Sequence, residues 1–207
     1  MIVVVEGPSA AGKTTWARRS GPEFVVEEHP RLSPPADATV ADAVQFWVEA
    51  AARRWTAALA AEATHGYAVC DTDPLKLHYR YCCARVGAES WDSFRIGVAK
   101  YRRAIAGQQL GIADVILCNV PDADILRQRK DADVSRARRN FDRHRQLAEP
   151  LRDWYTALDR IDPGRVAWGY PDDLPPVATR DRYDIDLFDK WMAALEATIH
   201  DARPYWP

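Results

Sequence analysis

The sequence predicts an α/β fold, in which parallel strands are joined by helices. Short β-branched runs alternate with longer stretches of helical periodicity, an order that calls for right-handed crossovers between parallel strands. The first such run leads directly into Gly7-Pro8-Ser9-Ala10-Ala11-Gly12-Lys13-Thr14, which matches the phosphate-binding pattern G-x-x-x-x-G-K-[ST] without a mismatch. The length, 207 residues with 47% apolar and 28% charged, suits one domain spanning 1–207.

Ile2–Glu6 is a β-branched run bounded by Gly7 and Pro8 and reads as a buried strand. A helix follows from Lys13 to Arg19, stopped by Ser20-Gly21-Pro22. Phe24–Val26 reads as a second strand that enters the loop Glu27-Glu28-His29-Pro30-Arg31. From Val40 the apolar residues Val44, Trp47, Val48, Ala51, Trp55 and Leu59 recur at helical spacing, with a capping box at Thr39 and Asp42 and an exit at Gly66. Tyr67–Cys70 is expected as a third strand ending at Asp71-Thr72-Asp73. Tyr101–Leu110 is expected as a helix, with Trp91 ambiguous, and Val115–Val120 as a fourth strand. Asp122–Lys130 starts another helix, Arg136–Leu158 reads as one long helix bent at Glu149-Pro150, and Val166–Trp168 is a fifth strand. Asp184–His200 closes the chain with an apolar face of Ile185, Phe188, Met192, Leu195 and Ile199.

The spacing of the phosphate loop has a chemical reason. Gly7 and Gly12 let the backbone curl around a phosphate, with Pro8, Ser9, Ala10 and Ala11 forming the arc, and the following helix turns its free N–H groups inward through Thr15. Lys13 would reach the β- and γ-phosphates, and the Thr14 hydroxyl would ligate Mg²⁺. Asp71, an acid ending an apolar strand, is a candidate metal-linked residue or base, and Asp73 is a second acid at the same strand end that also suits a helix cap. The Asp-Glu pair of hydrolytic motor ATPases is missing.

Charge is unevenly placed. The chain has 28 basic and 30 acidic residues, a net −2, yet Arg127 to Arg145 holds eight basic residues against three acids. That segment therefore carries +5 and the remainder −7, a distribution suited to an arginine-rich lid over about 127–139 that neutralises a transferring phosphoryl group and excludes water.

Taken together, GPSAAGKTT, the acidic stretch VVEEHPR, VCDTD and VILCNVPD followed by LRQRK resemble the P-loop nucleoside and nucleotide kinases, a group of P-loop NTPases that includes the thymidylate, deoxynucleoside and ribosylnicotinamide kinases. The resemblance covers roughly residues 1–160 by motif order. It implies a three-layer α/β/α P-loop NTPase fold with a five-stranded parallel sheet, ATP as donor, Mg²⁺ as cofactor, a lid carrying Arg127, Arg129 and Lys130, and a base after the second strand, a role that falls by position on Glu27 or Glu28, with Glu28 preferred. Deoxynucleoside kinases carry Glu-Arg where this chain has Asp71-Thr72, and thymidylate kinases carry Asp-Arg where it has Glu27–Arg31. The Asp-Thr-Asp run looks more like the ribosylnicotinamide kinases, and the acceptor stays open.

The expected activity is an ATP-dependent phosphotransferase acting on a small hydroxyl-bearing acceptor such as a nucleoside or nucleotide. Two other readings stand beside it: an antibiotic-modifying phosphotransferase and an ATP- or GTP-binding switch. The switch is disfavoured by Asn119-Val120-Pro121-Asp122, which lacks the lysine of the guanine-selecting N-K-x-D pattern. The overall acidity argues against a dedicated nucleic-acid binder. No apolar run is long enough for a membrane span, and the amino terminus makes a poor signal peptide, so a cytoplasmic protein is expected. A homodimer is left open as the assembly. Cys70, Cys82, Cys83 and Cys118 form no CxxC pair and read as buried or free thiols, and the five histidines show no zinc spacing. The aromatic run His78, Tyr79 and Tyr81, with Trp47 and Trp91, reads chiefly as core and secondarily as a stacking surface for an acceptor ring.

Overall fold

The computed structural model describes residues 1–28, 32–132, 141–176 and 179–201. Five strands, β1 (Ile2–Glu6), β2 (Val25–Val26), β3 (Ala68–Asp71), β4 (Val115–Cys118) and β5 (Val166–Trp168), form one all-parallel sheet in the order β2-β3-β1-β4-β5. Val3 of β1 pairs with Val69 on one side and Val115 on the other, so β1 is the central strand. Because parallel strands are buried on both faces, their sequences are continuously apolar, and the alternation of side chains sorts them between two cores. Ile2, Val4, Cys70, Ile116 and Cys118 enter a large core, and Val3, Val5, Val69, Val115 and Leu117 enter a smaller one.

The small core is closed by Trp16 and Ala17 of α1 (Lys13–Arg19). The large core is closed by α2 (Val40–His65), α3 (Leu77–Arg85), α4 (Trp91–Ala106), α7 (Ala148–Ile161) and α8 (Ile185–Asp201). The ends of α2 follow from its sequence. Thr39 accepts from the Asp42 backbone N–H at 3.2 Å, and Gly66 takes a left-handed φ of 78° at the carboxyl end. The core's centre is an aromatic cluster: the Trp154 ring lies 4.7 Å from Trp191 and 5.4 Å from Tyr81, centroid to centroid.

Several boundaries differ from the sequence expectation. β3 takes in Asp71, β4 stops at Cys118 two residues early, and Trp91 opens α4 because Ser90 caps it by accepting from Ser93 N–H at 3.2 Å. The expected single helix over Arg136–Leu158 is instead α6 (Phe141–Gln146) and α7, parted at Leu147; its first residues, 136–140, lie outside the described residues. Pro150 falls in the first turn of α7, where its missing N–H costs no helix bond. α5 (Ala123–Ala132) precedes this segment. Among the described residues, no helix is long and apolar enough to cross a membrane. All four cysteines are buried and none is in a disulfide, and burial pushes the Cys70 thiol up to about 12.

At the amino-terminal edge of the sheet, Arg182 donates to both Glu62 of α2 and Asp114, and Asp114 also accepts from the Ile2 N–H at 2.7 Å. Hydrogen bonding and charge from Arg182 hold the Glu62 carboxyl down from 4.5 to about 2. The folded state therefore binds fewer protons than the unfolded chain between those values, and stability falls as pH drops through that window. In acid denaturation, Glu62→Gln is expected to flatten the loss between about pH 4.5 and 2.

Candidate active site

β1 delivers the chain to the carboxyl edge of the sheet, where the order reverses: α1 leaves β1 toward the small core and α3 leaves β3 toward the large one. Such a switch point opens a crevice outside the strand ends. Here it is a cleft of about 550 Å³. Gly7 through Thr15 form its floor, with Glu28, Asp71, Thr72 and Lys76 on its walls.

The loop's conformation depends on its glycines at two points. A Cβ on Gly7 would lie 2.3 Å from the Asn119 carbonyl oxygen, so only a bare Cα lets β1 and the end of β4 run this close. Gly12 has φ of +99°, a left-handed value that costs a side-chain-bearing residue energy. The loop closes with Ala11 N–H donating to the Pro8 carbonyl at 3.1 Å. Glu6, buried at the end of β1, fixes both sides of the crevice: one carboxylate oxygen accepts from Gly7 N–H at 2.9 Å and the other from Asp73 N–H at 3.0 Å.

The expected phosphate and metal residues meet. Lys13 Nζ donates to the Gly7 carbonyl at 2.6 Å, which holds the ammonium over the loop. The Thr14 hydroxyl donates to Asp71 Oδ2 at 2.6 Å, joining the start of α1 to the end of β3. A hydroxyl and a carboxylate in contact at a strand end are hard oxygen donors, and this set fits Mg²⁺, which takes one or two protein oxygens and completes its shell from water and phosphate. Asp73 faces inward instead. It accepts from Leu75 N–H at 2.8 Å and from the Tyr155 hydroxyl at 3.0 Å, and burial together with the nearby Glu6 charge pushes it up to about 7.

Glu28 stands on the cleft wall and forms an ion pair with Lys76. Burial raises its carboxyl, but Lys76, Lys13 and Arg54 outweigh that and bring it from 4.5 to about 2. Glu27 points elsewhere, pairing with Arg18 at 2.6 Å in an exposed position. Of the residues expected in a lid, Arg129 reaches the loop, its guanidinium donating to the Ala11 carbonyl at 3.0 Å. Arg127 pairs with Asp124 at 3.9 Å on an exposed face and does not line the cleft. Lys130 sits 5.3 Å over the Phe141 ring. Leu126 and Phe141 pack on Ala10 and Ala11, so α5 and α6 rest directly on the phosphate loop. Arg136, Arg138 and Arg139 lie outside the described residues, as does the Arg143 side chain.

His78 and Tyr79 line the cleft, whereas Tyr81 belongs to the aromatic core beside Trp91. Trp47 is half-buried on α2 against Phe46. Two functional neighbours escape sequence reasoning. Lys76 belongs to no motif. Arg54 is a buried cation on α2 that donates to the carbonyls of Asp71 at 2.7 Å and Thr72 at 2.9 Å, tying the end of β3 in place. Its place at helical spacing beside Trp55 is indistinguishable in sequence from that of a solvated arginine.

No protein-family model matches the chain, and no curated protein does. Among solved structures, it is similar to deoxyadenosine kinase from M. mycoides with bound dATP, at 10% identity over 97% of this chain and 98% of that one, with a TM-score of 0.51. The same enzyme with the products dCMP and a flexible dCDP gives 11% identity over the same shares and a TM-score of 0.55. The fold is that of deoxyadenosine kinase. A NadR protein in complex with NR is similar over 93% of this chain and 51% of its own length, at 20% identity and a TM-score of 0.49. Within the deoxyadenosine kinase fold, this chain places its phosphate loop, strand-end acid and cleft at the sheet's switch point.

Proposed function

We propose that the protein is an ATP-dependent kinase that transfers the γ-phosphoryl group to a hydroxyl of a small acceptor, a nucleoside, nucleotide or similar molecule. The observation that carries this reading is one cleft lined by Lys13, by the bonded pair Thr14 and Asp71, and by Glu28 on its wall. Backbone N–H groups from Gly12 to Thr15, at the start of α1, cradle the donor phosphates, and Lys13 adds a mobile charge where negative charge spreads in transfer. Thr14 and Asp71 would hold Mg²⁺, which when bound neutralises the β- and γ-phosphate oxygens. Glu28 receives the acceptor hydroxyl; Asp71 is the second candidate for its proton. Phosphoryl transfer is loose, so alignment of the hydroxyl matters more than a strong base.

The lid role rests on Arg129, which touches the loop, more than on Arg127, which pairs with Asp124 on an exposed face. Arg129→Ala is expected to lower kcat by more than about ten-fold, and unchanged kinetics would make it a surface arginine. The reading itself is tested by incubating the protein with ATP, Mg²⁺ and a metabolite library and searching for phosphorylated products by mass spectrometry. Phosphorylation of a nucleoside or related hydroxyl compound is the expected result. Tight ATP binding with no product across nucleosides, nucleotides and hydroxyl-bearing antibiotics would overturn it.

A further inference from the structure

Glu28 and Lys76 come from different loops. Glu28 lies two residues beyond β2, the short edge strand, and Lys76 stands at the head of α3. They meet in an ion pair on the cleft wall, with side chains 44% and 27% exposed respectively, so the pair is open to a ligand. Resting on the kinase reading above, we propose that Lys76 is a positioning residue: it aims the Glu28 carboxylate at the acceptor hydroxyl and does not itself bind an anion on the acceptor.

Local structure gives the two partners unequal anchorage. Lys76 is fixed in the turn that opens α3, with its N–H donating to the Pro74 carbonyl at 2.8 Å and its carbonyl accepting from Tyr79 N–H at 3.1 Å. Glu28 follows a strand of only two residues, so its side chain takes its direction from what it contacts. Besides Lys76, the described groups that interact with the Glu28 charge are Lys13, Arg54 and His78, an imidazole that burial pushes down. Lys13 donates to the loop carbonyls of Gly7 and Pro8, and Arg54 to the carbonyls of Glu27, Asp71 and Thr72. Among the described residues, Lys76 is the cation that closes an ion pair with Glu28.

The same pairing sets the character of the acceptor end. Lys76 is neutralised by Glu28, and Arg18, which also lines the cleft, is neutralised by Glu27. A phosphate or carboxylate arriving there would have to displace a carboxylate from its cation and would meet the released charge as a repulsion. A neutral hydroxyl donates to Glu28 and leaves the pair intact.

Lys76→Met and Lys76→Arg test this in the full chain. The first readout is a carboxyl ¹³C NMR titration of Glu28, which needs no acceptor and so stands even if the kinase reading fails. In Lys76→Met the Glu28 midpoint is expected to move up by more than about one pH unit, because burial then acts with less opposition, and Lys76→Arg is expected to restore it. An unmoved midpoint would overturn the assignment. The second readout is kcat/KM against pH with the hydroxyl acceptor identified by the library screen. Its acid limb should rise in Lys76→Met with kcat falling more than KM rises, and recover in Lys76→Arg. If Lys76→Met instead raises KM selectively for a phosphorylated acceptor and leaves the acid limb in place, Lys76 binds an acceptor anion and the proposal fails.

Discussion

Replacing Lys13 with alanine is expected to lower kcat by a factor on the order of 10² to 10³, while leaving the thermal midpoint close to that of the wild type. The ammonium rests over the phosphate loop on the Gly7 and Pro8 carbonyls, at 2.6 and 3.3 Å, and on the kinase reading it turns from these carbonyls to the transferring group. Its value is largest where charge develops on the transferring group, so the loss should fall on kcat more than on ATP affinity. Lys13 is only half-buried and fills no core space, which keeps the fold insensitive to its removal. Steady-state kinetics with the acceptor found by mass spectrometry, alongside circular dichroism melting, checks both halves. Turnover near the wild-type rate would remove Lys13 from the chemistry.

Trp154→Ala is expected to have the largest effect on stability, about 3–5 kcal/mol. Trp154 is fully buried at the junction of four helices, with Tyr81 of α3, Phe94 of α4 and Trp191 of α8 around it. Among the described residues its indole N–H has no hydrogen-bond partner, so the cost is one of lost packing and an unfilled void. For a chain of this size that corresponds to a fall in Tm of roughly 10 °C, readable by calorimetry. Trp154→Phe keeps part of the ring and should recover more than half the loss. A drop of less than about 3 °C for the alanine variant would mean that the four helices close over the gap.

How far the sequence foretells the molecule depends on whether a residue's role is local. β1, the phosphate loop and α1 fall where expected, because a β-branched run, two glycines with special backbone demands and a Ser-Gly-Pro stop are all written within twenty residues. The ends of α2 were legible for the same reason, in Thr39 and Gly66. α3 was not. Leu77, His78, Arg80, Tyr81, Cys82, Cys83 and Ala84 are all buried, so the segment has no polar face to give it a helical period. At the site, Lys13, Thr14 and Asp71 stand out in the sequence through motifs, and all three line the cleft. Arg54 and Lys76 carry theirs only through contacts with segments far away in sequence, and no spacing rule marks them.

The four buried cysteines give the protein an internal clock. A maleimide or disulfide reagent attacks thiolate, and burial pushes the Cys70, Cys82 and Cys118 thiols upward while it excludes the reagent. Labelling must therefore wait for the surrounding structure to open. Cys70 lies in β3 and Cys118 in β4, on either side of the central strand, so their modification reports the separation of the sheet itself. Under conditions where reclosing outpaces reaction, the labelling rate reads the free energy of that opening with no denaturant present, and on the kinase reading added nucleotide should slow it.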